Sequence, residues 1–204
     1  MPQSLNYLKE TPSQTAGPYV HIGCTPNFAG IKGVYEQDLG ASMVNDKTKG
    51  ERITIRGSVI DGNGMALKDA LVEIWQADSD GLYNSPFETR GTADPNFSGW
   101  GRSAGEMDTG EFCFHTIKPG VVPFTDGRPM APHITFWIVA RGINLGLHTR
   151  MYFPEENTAN QADPVLGRVE HKSRVPTLIA QKDGNDYRFD IHLQGELETV
   201  FFDI

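Results

Sequence analysis

The chain has 204 residues, 38% hydrophobic and 22% charged, which suits one folded domain with a full core, or one domain plus an arm, and excludes a disordered chain. A formal net charge of −8 leaves no surplus of Lys and Arg to neutralise phosphates, so nucleic acid is not the expected partner. No run approaches the roughly 20 apolar residues of a spanning helix, and residues 1–10 show no basic segment followed by an apolar one, so a cytoplasmic chain is expected.

In chain order, residues 1–45 carry few strand signals and are expected to form an extended arm with short elements. Residues 52–60 alternate apolar and polar side chains, the pattern of a half-buried strand, and the turn Asp61-Gly62-Asn63-Gly64 follows. Residues 70–76 are rich in β-formers. Residues 76–110 are dense in Gly, Asp, Asn, Ser and Pro and read as one long loop, which in a compact domain is usually functional. Further strands are expected over 111–117, over 134–140 (nearly all apolar, hence buried on both faces) and over 147–153. Residues 157–175 have weak helical character, and 187–193 alternates again after a turn at Asp183-Gly184-Asn185. Frequent punctuation by 22 Gly and 13 Pro fits six short strands in an antiparallel β-sandwich, an all-β fold.

The chemistry-bearing residues are sparse. Cys24 and Cys113 have no CxxC spacing, so a structural zinc site is not expected and the two are read as unpaired thiols. The six histidines show no HxH, HxxxH or HExxH pairing. His115 and His192 lie in alternating strands and read as surface or satisfied core residues. His133 stands at the mouth of an apolar strand as a ligand, a structural hydrogen-bonder or a strand-edge residue. Arg141 at the other end of that strand is either a solvated terminus or a fixed cation facing an anion. The residues by themselves reach no further than a soluble β-sandwich of open activity.

The order of four segments adds a family. Residues 71–78 read LVEIWQAD with Gly81-Leu82-Tyr83 following; residues 94–102 read DPNFSGWGR; residues 115–120 read HTIKPG; residues 131–136 read APHITF. In this order and spacing they resemble the intradiol ring-cleaving dioxygenases, over roughly residues 11–203. The resemblance implies a non-haem Fe(III) held by two tyrosinates and two histidines, since hard ferric iron favours phenolate oxygen. Tyr83 keeps the first tyrosine position and His133 the first histidine position. Val122 stands at the second tyrosine position and Thr135 at the second histidine position. Met130 replaces an arginine, with Arg128 near. Valine has no donor atom, and a threonine hydroxyl is a poor replacement for imidazole, so these four read as vestigial ligand positions and no metal is expected on this chain.

That lesion resembles the alpha type of the family's two-chain members, in which a related beta chain holds the Fe(III). The stretches 10–21, 140–144 and 195–203 also resemble the alpha type. The resemblance implies that residues 1–45 form an arm packing on the partner chain and that 46–204 form the sandwich domain. Thr15, Gly17 and Pro18 would line the partner's substrate cavity, with Tyr19 close behind, and Arg141 would point toward the bound aromatic acid. The implied reaction is cleavage of protocatechuate by O2 to 3-carboxy-cis,cis-muconate in a higher hetero-oligomer of alpha–beta pairs. The main rival is a homomeric enzyme that draws iron ligands from unmatched residues such as His148 or Tyr152.

Overall fold

A computed structural model of the chain describes residues 15–144 and 146–203, with Pro18 described by its backbone alone. The first fourteen residues of the expected arm lie outside the described residues. The arm continues as a short helix, α1 (Pro18–Cys24), which opens on Pro at its first position, where the missing N–H costs nothing.

The body is a β-sandwich. One sheet is built on β1 (Arg52–Ile60); the other contains β2 (Leu71–Trp75) and β3 (Trp100–Ala104). β4 (Glu111–Ile117) pairs antiparallel with β1, Ile55 opposite Phe114. A two-stranded ribbon follows, β5 (Val122–Pro123) with β6 (Pro129–Met130). β7 (His133–Val139) and β8 (Leu147–Tyr152) complete the second sheet, in the order β3-β2-β7-β8. The chain returns to the first sheet as β9 (Gln181–Asp183), β10 (Asp186–Arg188) and β11 (Ile191–His192). Most pairings are antiparallel as expected, but β10 and β11 run parallel to β1. A closing segment that crosses over a connection, rather than a hairpin, is free to dock in that sense.

The core sits between the sheets. Ile53, Ile55, Phe112 and Phe114 from one sheet meet Ile74, Ile134, Phe136 and Ile138 from the other. Phe136 is fully buried, with ring centroids 5.9 Å from Phe112 and 5.2 Å from Phe189. Tilted and edge contacts of this kind add about 0.5–1.5 kcal/mol to the burial of an aromatic ring.

Two sequence expectations are corrected. The strand of residues 134–140 is not buried on both faces: Ile134, Phe136 and Ile138 are buried, whereas Thr135, Trp137 and Val139 are half-exposed. The apolar run reflects a central strand with β2 and β8 on its flanks, not a doubly covered one. The stretch 76–110 is not one loop, because β3 lies inside it. Its Trp-Gly-Arg-Ser-Ala sequence has weak strand propensity, and pairing with β2 along the full length of both imposes the conformation. The rest of the loop is organised by Asp78, whose carboxylate accepts N–H bonds from Asp80, Leu82 and Asp94. Residues 157–175 contain a helix, α2 (Asn157–Ala162), and short 3-10 turns.

Candidate functional site

The side chains of β7 and β8 alternate between the sandwich core and the outer face of the second sheet. His133 and Thr135 point to the outer face, opposite Tyr152 and Arg150 respectively. Trp75 of β2 is opposite Thr135 on the other flank, and the Tyr83 ring stacks on Trp75 at 5.9 Å and 5°.

Two glycines bring the remaining positions to this face. Gly81 has φ +79, and a Cβ there would lie 2.1 Å from the Val121 carbonyl oxygen. A Cβ on Gly120 would lie 2.5 Å from the Gly81 nitrogen. Only bare backbone permits this crossing, and the crossing sets Tyr83 beside the ribbon that carries Val122. Val122, Met130 and Ala77 then form a small apolar cluster against which Tyr83 packs. The four matched positions are therefore gathered on one face, but two of them offer no phenolate or imidazole.

The electrostatics of this face differ from those of a cation site. The Arg150 guanidinium stands among the four positions, with Nη1 3.5 Å from Met130 Sδ. Burial pushes the His133 imidazole down to about 4, and the Arg150 charge pushes it the same way. The His133 Nδ1–H donates to the Ala131 carbonyl at 2.8 Å, which leaves Nε2 as the open nitrogen. Burial raises the Tyr83 phenol above its ordinary value, and the Arg150 charge opposes this. One imidazole and one phenol beside a fixed guanidinium are too few donors for a ferric ion, which needs several anionic or imidazole ligands. The alternative donors fit no better. Tyr152 is fully buried with its phenol raised, first by burial and then by the Asp163 carboxylate, and no group of three or more His, Cys, Asp or Glu converges among the described residues.

Arg141 and the arm residues lie elsewhere. β7 carries His133 at its start and Arg141 just beyond its end, so at roughly 3.3 Å per residue the two are roughly 25 Å apart. Arg141 Nε is 3.1 Å from Asp69 Oδ2, and the Arg141 side chain is 78% exposed. The Gly142 N–H donates to Thr15 Oγ1 at 3.0 Å. Gly17, His21, Asp69 and Arg141 line one recess of about 290 Å³, and His21 Nε2–H donates to the Asp69 carbonyl at 3.1 Å. Thr15, Gly17 and Arg141 are thus brought together; the Pro18 side chain lies outside the described residues, and Tyr19 is 84% exposed. The apolar strand does not by itself fix Arg141: the strand ends at Val139, and Asp69 is the tether. Sequence reasoning passed over Asp69 and Arg150. The signal for Arg150 was a lone cation alternating with His148 and Tyr152 in a strand that pairs with the His133 strand.

The family model described as dioxygenase matches residues 24–195. The chain is 47% identical over 203 residues to the protocatechuate 3,4-dioxygenase alpha chain of Pseudomonas putida, covering 98% of each chain. It is 34% identical to the beta chain of that enzyme from Burkholderia cepacia, over 82% of this chain and 75% of that one. Among solved structures, the dioxygenase domain of a carbohydrate-binding fusion protein from Streptomyces sp. SirexAA-E matches with a TM-score of 0.52 and 25% identity, over 94% of this chain and 100% of that one.

Proposed function

The chain belongs to the intradiol dioxygenase family, and from that premise we propose that it is the alpha-type subunit of a protocatechuate 3,4-dioxygenase. In this reading the substrate is protocatechuate, which takes up both atoms of O2 and opens between its hydroxyl-bearing carbons to 3-carboxy-cis,cis-muconate. Fe(III), held by the beta-type partner, supplies the activation of the catechol. This chain supplies the wall of the pocket, and its arm, residues 1–45, packs on the partner.

The observation that carries the reading is the separation of the vestigial ligand face from the Arg141 recess. The vestigial ligand face and the Arg141 recess lie at opposite ends of β7, so Arg141 has no reach to a metal position on its own chain. A second chain's site is the place where it can act. Ala16 and Gly17 line the recess with little side-chain bulk, which lets a flat ring approach the backbone, and Thr15 ties the arm to Gly142 next to Arg141. Arg141 presents a permanent cation to the substrate carboxylate or to oxyanion character developing during ring opening. The seated arm and the partner surface exclude bulk water, which strengthens that interaction. The Asp69 contact orients the guanidinium through Nε and leaves its outer nitrogens available.

The test is turnover of protocatechuate by the assembled alpha–beta enzyme. Arg141→Ala is expected to lower kcat/KM by roughly 10²–10³, the effect of removing one preorganised donor, and Arg141→Lys to recover part of it because an ammonium cannot reproduce the planar fork. Iron content and the tyrosinate colour of the complex are expected to be unchanged in both. Full activity in Arg141→Ala removes the residue from the site.

A further inference from the structure

Beside Arg150, and sharing Phe124 and Val165 with the Tyr83 cluster, the outer face of the second sheet opens into a cavity of about 490 Å³, within the size range of small-molecule pockets. Thr135 and Arg150 form part of its floor, and Arg168, His148, Phe124 and Phe202 part of its walls. The closing segment of the chain is held over it by the Phe202 N–H, which donates to the His148 carbonyl at 2.8 Å.

Three features of this cavity bear on what it can hold. First, among the described residues neither Arg150 nor Arg168 has a carboxylate within salt-bridge distance, whereas the third lining arginine, Arg174, is engaged by Glu198 at 2.8 Å. Glu170 and Asp203 also line the cavity, both on exposed residues, and neither closes on these two guanidiniums. Second, His148 Nδ1 is buried with no hydrogen-bond partner, and a polar atom left so costs about 1–3 kcal/mol unless something arrives to pair with it. Third, the cations interleave with aromatic faces: Arg168 lies 4.6 Å from the Phe124 ring centroid and Arg150 6.0 Å from that of Phe202.

We infer that this cavity binds a small aromatic carboxylate, at a second, non-catalytic site on the alpha-type chain. The carboxylate would be received by the Arg150 and Arg168 guanidiniums, which match its planar two-oxygen edge. The ring would lie against Phe124, Val165 and Phe202, apolar walls that an inorganic anion leaves uncovered. Loss of the second histidine position is what makes room: Thr135 is short, and the Arg150 charge, directed into this space, takes the place of a metal's charge as the attractor for an anion. Neither Arg141 nor the partner's iron takes part in this binding.

The test uses the full chain purified without a partner, so that no iron site competes. Calorimetric titration with 4-hydroxybenzoate, which is not a catechol and cannot be cleaved, is expected to give one saturable site per chain. Arg150→Ala is expected to weaken it at least tenfold, and Arg168→Ala at least threefold. Arg56→Ala, on β1 of the opposite sheet, is expected to leave it unchanged. Inorganic phosphate is expected to bind at least tenfold more weakly than the hydroxybenzoate. Absence of saturable binding, or equal affinity in the wild type and both cavity variants, overturns the proposal. Phosphate binding as tight as that of the hydroxybenzoate also overturns it, because the aromatic walls would then contribute nothing. Circular dichroism reports whether Arg150→Ala folds; if it does not, the exposed Arg168→Ala variant decides.

Discussion

At the scale of single residues, the face that in the family holds iron carries a neutral imidazole, a protonated phenol and one guanidinium. His133 shows the consequence for stability. Its imidazole titrates near 6.5 in an unfolded chain and near 4 in the fold, chiefly because it is buried. Between those values the unfolded state takes up a proton that the folded state does not, so acid favours unfolding. The contribution is fully present above about pH 6.5 and is lost as pH falls to about 4, a change of about 3 kcal/mol. Urea melts of the full chain at pH 7 and pH 4.5 are expected to show this loss in the wild type and a clearly smaller one in His133→Asn. An equal loss in the two proteins would mean that other groups govern the acid limb. The ring's neutrality and its Nδ1–H bond to Ala131 also mean that His133 keeps the tautomer of a metal-binding histidine while lacking the company to act as one.

At the scale of elements, the loop crossing at Gly81 and Gly120 holds the candidate face together. Gly120→Ala would force its new methyl against the Gly81 nitrogen and the Ser79 carbonyl oxygen, 2.5 and 2.6 Å away. A backbone obstacle cannot rotate aside, so a loss of about 1–3 kcal/mol is expected in denaturant titrations, with Tyr83 displaced from Trp75. A Pro119-Gly120 pair is a turn signal in any sequence, but only the fold shows that this turn abuts a second glycine. The arm is the other element with a distinct role. Its later residues are anchored in the body, with Met43 buried in the core and the Gly40 and Met43 carbonyls accepting from the Arg102 and Ser98 N–H groups, whereas its helix is held by the His21–Asp69 contact and by Arg102 Nη1, which donates to the Cys24 carbonyl, and leaves Tyr19 and Ile22 exposed. Apolar exposure of this kind suits a partner surface. Removal of residues 1–21 is expected to weaken alpha–beta association and to raise the KM for protocatechuate. Gel filtration with steady-state kinetics checks this, and unchanged values would detach the arm from the site. The missed strand β3 belongs at this scale too: Gly101 and Ser103 give it no propensity of its own, and its register is set by Glu73 opposite Arg102, joined in a salt bridge at 2.7 Å.

At the scale of the whole molecule, β7 acts as a spacer, with a disabled ligand face at one end and an arginine recess at the other. That division predicts the behaviour of the chain on its own. Purified without a partner it is expected to be colourless and to hold no stoichiometric iron by elemental analysis, since one imidazole and one phenol beside Arg150 are too few donors to retain Fe(III). A red chain with one iron would overturn the division. The sequence by itself determined the strand pattern, because alternation in residues 52–60 and 111–117 records which side chains face a core. It also determined the family and the loss of two ligand types, because Val122 has no donor atom and Thr135 only a neutral hydroxyl in any conformation. It did not determine where the charges go. That Arg150 occupies the abandoned ligand face, that Asp69 tethers Arg141, and that β10 and β11 dock parallel to β1 depend on contacts between segments far apart in the chain. Alternation reports the face on which a residue lies; only the packed structure decides what stands opposite it, because cross-strand register and loop crossing are set by the fit of the two sheets together.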